Sequence, residues 1–207
     1  MSEIIIPQSA GANRKAVLPS DALVLVVMGV SGAGKSTIGS KLAAELGWQF
    51  QDGDWFHPPA NVEKMRTGTP LADEDRWPWL RAIAAWIDNR IKSGGHGVVA
   101  CSALKRRYRD VLIGNRPNVR LVYLKGSPEL IAGRLALRNE HFMPSSLLKS
   151  QFEVLEEPGS EECPIVASIE PPPGVVISQI ISALALPGRL PGQEVTDQNA
   201  QLGLPGL

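Results

Sequence analysis

The hydrophobic positions of this chain fall into short apolar runs that alternate with longer runs of helical spacing. Runs of strand length, the first of them continuous and rich in β-branched residues, predict strands at Ala22–Met28, Trp48–Gln51, Gly97–Cys101 and Val119–Leu124. Runs with helical spacing predict helices at Thr37–Leu46, Trp79–Ile91, Pro128–Asn139, Ser145–Leu155 and Val175–Leu186. Apolar strands that alternate with helices are typical of a parallel sheet covered on both faces, so the predicted fold class is α/β.

The two ends of the chain lack these patterns. Residues 1–20 show no clear period and predict a flexible N-terminal arm, while residues 187–207 are rich in Pro, Gly and Gln and predict a disordered tail. The folded domain is therefore expected at residues 21–186, which is an ordinary length for one domain.

Charge and cysteine content exclude several classes of protein. Lys and Arg (21) balance Asp and Glu (21), so no net charge favours nucleic acid or a membrane, and a small-molecule partner is expected. The two cysteines, Cys101 and Cys163, are too few for a disulfide framework and lack the spacing of a zinc site. Free thiols, and apolar runs too short for a signal peptide or a membrane span, predict a cytoplasmic protein.

A glycine-rich segment directly after the first predicted strand matches the phosphate-binding pattern GxxxxGK[ST]. Its backbone N–H groups and the following helix N-terminus suit phosphate, Lys35 suits the β- and γ-phosphates, and the Ser36 hydroxyl suits Mg²⁺. ATP and Mg²⁺ are therefore the expected cofactors. The predicted nucleotide-binding residues are Gly29, Val30, Ser31, Gly32, Ala33, Gly34, Lys35, Ser36 and Thr37.

An acidic turn, Asp52-Gly53-Asp54, follows the second predicted strand. In a doubly wound sheet this turn lies beside the phosphate loop. Asp52 is then a candidate to support Mg²⁺, and Asp54 a candidate to accept a proton from an attacking hydroxyl. The alternative is an ordinary solvated Asp-Gly turn.

Four blocks of residues carry a resemblance to a known family. They are the phosphate loop through Gly39; Asp52–Asp54 with His57-Pro58, Asn61, Lys64-Met65, Gly68, Pro70-Leu71, Asp73, Asp75-Arg76 and Pro78–Leu80; Ala100–Lys105 with Tyr108–Asp110; and Arg134, Arg138, His141–Pro144, Leu147-Leu148, Ser150–Phe152 and Leu155-Glu156. In this order the blocks resemble the gluconokinases, which are related to shikimate and adenylate kinases. The likeness spans about residues 24–157; the arm and the tail depart from it.

The resemblance implies a P-loop NTPase fold with a five-stranded parallel sheet, helices on both faces and a mobile lid. It also implies transfer of the γ-phosphoryl group of ATP to the 6-hydroxyl of D-gluconate. Similar kinases are often dimers, so a homodimer is an expectation by similarity.

The resemblance also suggests which residues act in the transfer. Lys35 would contact the transferring phosphate, and Asp54 would be the base. Arg134 and Arg138 share one helix face before a candidate lid at Phe142–Pro144, so they would neutralise charge on the phosphates. The alternative for the two arginines is a solvated basic face.

A gluconate site needs a cation for the carboxylate and polar groups for the hydroxyls. The candidates for substrate binding are Asp54, His57, Arg76, Lys105 and Gln151. Arg76 is the candidate for the carboxylate, because guanidinium and carboxylate pair bidentately, and by similarity to the corresponding arginine of shikimate kinase. Structural or surface roles remain the alternatives for His57, Lys105 and Gln151.

Other functions compatible with the phosphate loop are a kinase for shikimate, a nucleoside or a nucleotide, and a nucleotide-binding module without catalysis. The stretch from His57 to Leu80 favours a gluconate acceptor over the other kinases. The presence of Lys35, Asp54 and the two arginines argues against a module that no longer transfers phosphate.

Overall fold

A computed structural model of the protein describes residues 21–136 and 145–185. Within these ranges the strands are β1 (Val24–Met28), β2 (Gln49–Asp52), β3 (Gly97–Ala100), β4 (Val119–Lys125) and β5 (Ile165–Ser168). The helices are α1 (Lys35–Leu46), α2 (Pro59–Arg66), α3 (Asp73–Lys92), α4 (Arg106–Leu112), α5 (Pro128–Ala136), α6 (Ser145–Val154) and α7 (Pro173–Ala185). The predicted arm, tail and candidate lid lie outside the described residues, so the domain limits stay predictions.

The strands form one sheet with the order β2-β3-β1-β4-β5, and every pairing is parallel. The predicted α/β class and the five-stranded parallel sheet are therefore confirmed. Strand β1 lies in the centre, and all of its residues are buried. Its uninterrupted apolar sequence fits this position, because a central parallel strand is covered on both faces.

Alternate residues of β1 contribute to two hydrophobic cores, one on each face of the sheet. Leu25 and Val27 belong to the core that includes α1 and α7, while Val24, Val26 and Met28 belong to the core that includes α3 and α4. This division follows from the two-residue period of a strand.

Three of these strands and α-helices were not predicted, because each lacks a long apolar pattern. Strand β5 is a short edge strand in which Val166 is 54% exposed. Helix α2 begins with Pro59 at its N-terminus and buries only Asn61, so it has no apolar stripe. Helix α4 has seven residues and a highly charged sequence.

The predicted start of the helix at Trp79 is wrong, because α3 begins at Asp73. Pro78 suggested a boundary, since proline disfavours a helix interior. The first turn is nevertheless stabilised by three acidic residues near the positive end of the helix dipole. In addition, the Asp75 carboxylate accepts a hydrogen bond from the Ala72 N–H at 2.9 Å.

Among the described residues, no helix is both long enough and apolar enough to span a membrane.

Candidate active site

The phosphate loop joins the carboxyl end of β1 to the N-terminus of α1. Gly32 has a φ of 83°, and a Cβ at this position would lie 2.8 Å from Leu135 Cγ and 2.9 Å from Ile131 Cγ2. Both conditions require glycine. No side chain caps the N-terminus of α1. No cap side chain therefore competes with a ligand for the first N–H groups of the helix, a condition that favours phosphate binding at a helix N-terminus.

Two loop side chains that were predicted to act in phosphate transfer lie at the mouth of this loop. Lys35 Nζ donates a hydrogen bond to the Val30 carbonyl at 3.1 Å. Ser36 Oγ donates to Asp52 Oδ2 at 2.6 Å, which joins the phosphate loop to the end of β2. A hydroxyl and a carboxylate side by side supply the oxygen ligands that Mg²⁺ prefers, with the phosphates and water completing its shell. The donor set therefore fits Mg²⁺.

The acidic turn after β2 is held against the sheet and presents Asp54 outward. A Cβ on Gly53 would lie 2.3 Å from the Ala100 carbonyl oxygen, so only glycine permits this approach to β3. Trp79 Nε1 donates to the Gly53 carbonyl at 2.7 Å, and the Asp54 N–H donates to Asp52 Oδ1 at 3.1 Å. The Asp54 side chain is 85% exposed and remains accessible to a substrate.

His57 lies directly behind Asp54, with its Nε2 3.9 Å from Asp54 Oδ1. Its ring stacks on Trp79 at a centroid distance of 4.2 Å, and its Nδ1 lies 3.5 Å from Asn61 Nδ2. Burial lowers the pKa of His57; Asp54 opposes this shift and Arg76 adds to it. The imidazole is therefore mainly neutral at pH 7, and its side chain is only 5% exposed, packed between Trp79 and Asn61 beside Asp54.

The acceptor candidates Arg76 and Lys105 come together from different elements. Arg76 Nη1 and Lys105 Nζ lie 3.6 Å and 3.2 Å from the same oxygen, Oδ1 of Asp73. Tyr108 also donates its hydroxyl to this oxygen. Asp73 and Tyr108 had no predicted role, although both belong to the blocks that carry the family resemblance.

Gln151 and Arg134 lie on the phosphate-loop side of the site. The Ser31 N–H donates to Gln151 Oε1 at 2.7 Å, so Gln151 faces the phosphate loop. Within the part of the chain that the structure describes, no hydrogen bond joins Gln151 to Arg76. Arg134 donates through Nη2 to the Ile169 carbonyl. Arg138 lies outside the described residues, so its predicted position beside Arg134 stays a prediction.

A cleft of about 330 Å³ opens beside the phosphate loop. One wall consists of phosphate-loop and α1 residues, namely Gly32, Ala33, Gly34, Thr37 and Ile38. The other consists of Arg134 and of residues from the end of β5 into α7, namely Ile169, Pro171, Pro173 and Val176. The part of this wall that follows β5 was not predicted from the sequence. No motif marks that part, because its residues become neighbours of the loop only through the strand order.

Cys101 directly follows β3 close to this site but is chemically inert. The thiol is buried, and desolvation raises its pKa to about 12. A thiol with this pKa stays protonated near neutral pH and is a poor nucleophile.

Comparison with known proteins places the chain in a family. The shikimate kinase family model matches residues 31–171. A gluconokinase of Gluconobacter oxydans is 51% identical over 76% of this chain and 88% of its own length. The thermoresistant gluconokinase of Escherichia coli is 44% identical over 76% of this chain and 91% of its own length.

A solved structure agrees with this assignment. The crystal structure of a gluconokinase from Sinorhizobium meliloti has a TM-score of 0.73 and 43% identity, and the match covers 81% of this chain and 94% of that one. The predicted resemblance is therefore confirmed. The chain belongs to the gluconokinase family of P-loop kinases.

Proposed function

We propose that the protein is an ATP-dependent gluconokinase, which transfers the γ-phosphoryl group of ATP to the 6-hydroxyl of D-gluconate and releases 6-phospho-D-gluconate and ADP. The observation that carries this proposal is the pair of cations, Arg76 and Lys105, at the same edge of the sheet as the phosphate loop and Asp54. A neutral sugar does not require these cations, whereas a sugar acid does. Membership of the gluconokinase family supports the same acceptor.

On the nucleotide side, Lys35 and the first N–H groups of α1 bind the β- and γ-phosphates. Arg134 and Arg138 provide further positive charge around them. Ser36 and Asp52 hold Mg²⁺, which when bound neutralises charge on the phosphate oxygens. The cleft between Arg134 and the segment after β5 has a volume and an apolar wall suited to the adenine ring.

On the acceptor side, Asp54 orients the 6-hydroxyl and accepts its proton. As the new oxygen–phosphorus bond forms, the bond between the γ-phosphorus and the bridging oxygen of ADP breaks. This role is supported by the high exposure of the Asp54 side chain and by the hydrogen bond from its N–H to Asp52, which in turn accepts a hydrogen bond from Ser36 of the phosphate loop. Arg76 binds the gluconate carboxylate, while His57, Lys105 and Gln151 contact its hydroxyls.

The test is ADP release with Mg-ATP, in which D-gluconate is compared with shikimate, idonate, glucose, nucleosides and no acceptor. We expect saturable turnover with gluconate and its loss when Mg²⁺ is omitted. Arg76→Ala should raise the KM for gluconate by about 10- to 100-fold, because it removes charge-assisted hydrogen bonds. Arg81→Ala, on an exposed position of the same helix, is the matched control.

Turnover with a different acceptor would reject gluconate while leaving the phosphate site in place. ATP binding without turnover on any acceptor would instead favour a nucleotide-binding module. An unchanged KM for gluconate in Arg76→Ala would remove this arginine from the carboxylate site.

We further propose a cytoplasmic location and a homodimer, in line with the free cysteines among the described residues and with the dimers common among similar kinases. Light scattering coupled to gel filtration measures the mass of the assembly. A mass of one chain in dilute solution would contradict the homodimer.

A further inference from the structure

Three cationic side chains surround the ring of Tyr108. Arg76 from α3 and Arg107 from α4 each lie 5.8 Å from the ring centroid, and Lys105, at the start of α4, lies 5.6 Å from it. Trp77 contacts the ring edge-on at a centroid distance of 5.6 Å, which keeps the ring in place between the two helices. Like charges repel, so this convergence requires a counter-ion.

Asp73 is that counter-ion. Its Oδ1 accepts hydrogen bonds from Lys105 at 3.2 Å and from the Tyr108 hydroxyl, and its Oδ2 pairs with Arg107. The side chain is only 18% exposed. The hydrogen bond from Tyr108, with help from Lys105 and Arg107, holds the pKa of Asp73 below its usual value, so the carboxylate stays ionised at neutral pH.

Arg76 differs from the other cations because its contacts within this cluster are long. Its Nη1 lies 3.4 Å from the Tyr108 hydroxyl and 3.6 Å from Asp73 Oδ1, and its side chain is 30% exposed. Among the described residues, no shorter hydrogen bond engages this guanidinium. Asp73 and Tyr108 therefore restrict its direction but leave its donors available for a second carboxylate.

We propose that Asp73 and Tyr108 are positioning residues that set the selectivity for an anionic acceptor. They hold Arg76 from α3 in one orientation toward the acceptor carboxylate, beside Lys105, the residue that precedes α4. This inference rests on the proposed binding of that carboxylate by Arg76. It predicts that loss of either positioning group weakens recognition of the carboxylate and leaves recognition of ATP unchanged.

The experiment uses Asp73→Asn and Tyr108→Phe, which preserve the shape of the side chains. The measured quantities are the KM for gluconate, the KM for ATP, kcat, and the inhibition constant of D-glucitol, which keeps the 6-hydroxyl but replaces the carboxylate by an alcohol. Glu74→Gln is the matched control, since it removes an exposed charge from the same first turn of α3.

We expect each variant to raise the KM for gluconate about tenfold, the effect of one lost hydrogen bond to a charged group. The KM for ATP should stay within about twofold of wild type, and inhibition by glucitol should not weaken, because neither depends on the carboxylate contact. The control should behave as wild type.

Three results would overturn the inference. An unchanged KM for gluconate in both variants, together with a raised KM in Arg76→Ala, would reject the positioning role alone. A lower KM would show that Asp73 competes with the acceptor for the cations. Equal losses for gluconate and ATP would indicate general disruption of the fold. If Arg76→Ala also had no effect, the proposed carboxylate site would be the part that fails.

Discussion

Asp54 combines an exposed side chain with a fixed backbone, an arrangement that suits a general base in the absence of substrate. Its side chain is 85% exposed, while its N–H is bound to Asp52 and the preceding Gly53 is packed against β3. General bases must lie within hydrogen-bond reach of the proton that they accept, and an apo site often reaches this geometry only when the substrate binds.

Asp54→Asn should leave ATP binding nearly intact and lower turnover by about 10²-fold or more, because the amide cannot accept the proton of the hydroxyl. Steady-state kinetics and ATP titration measure the two effects separately. Asp110→Asn, which changes an exposed carboxylate on α4, is the control. Turnover of the Asp54 variant at the wild-type rate would reject the assignment.

At the scale of elements, α4 joins the acceptor side of the site to the segment that leads into β5. Arg109 is 1% exposed and pairs with Glu162 at 2.5 Å and 2.8 Å. Its Nη1 also donates to the carbonyls of Ala103, Leu104 and Glu156. Ala103 has a φ of 44°, which is unusual for a residue with a side chain, so these bonds stabilise a strained turn beside Lys105.

Arg109→Met should destabilise the protein by about 3–5 kcal/mol, because it leaves the buried Glu162 carboxylate without its partner. Such a loss lowers the Tm on the order of 10 °C for a chain of this length. The control is Arg116→Met, since Arg116 pairs with Asp88 at a more exposed position, where an ion pair contributes only about 0–1 kcal/mol. Similar changes in Tm for both variants, measured by calorimetry, would contradict this account.

At the scale of the whole molecule, the buried His57 links stability to pH. Burial lowers the pKa of His57 in the folded protein, so the unfolded chain binds a proton more readily. Protonation of His57 therefore does not affect stability above the pKa of the histidine in the unfolded chain, about 6.5. As the pH falls below that value, the unfolded chain takes up the proton first and the folded protein loses stability. The depressed carboxylate pKa values of Asp73 and Asp75 act at lower pH, below about 4.

We expect the Tm of the wild type to fall between pH 7.5 and pH 5.5, and to fall less in His57→Gln, which has no imidazole to protonate. His96→Gln removes an imidazole that stacks on Trp48 elsewhere in the fold and serves as the control. An equal decrease in Tm for wild type and His57→Gln would show that other groups cause the pH dependence.

Features that depend on neighbouring residues were accessible from the sequence. The apolar run of β1, the phosphate loop that follows it and the acidic turn after β2 each lie within a few consecutive residues, where periodicity and turn chemistry act. These local features were sufficient to predict the α/β class and the phosphate site. Elements without a long apolar stripe, such as β5 and α2, were not accessible in this way.

Contacts between distant residues were decided by the tertiary structure. The Tyr108 hydroxyl bonds to Asp73, which lies 35 positions earlier in the sequence, and Arg134 bonds to the carbonyl of Ile169, which lies 35 positions later. The strand order β2-β3-β1-β4-β5 brings the carboxyl ends of separate strands to one edge, and no local rule specifies which segments then become neighbours. The sequence by itself determined the kind of chemistry, whereas the packing of α3 on α4 decided how Arg76 and Lys105 are held around Asp73, because that geometry exists only once both helices are buried on the sheet.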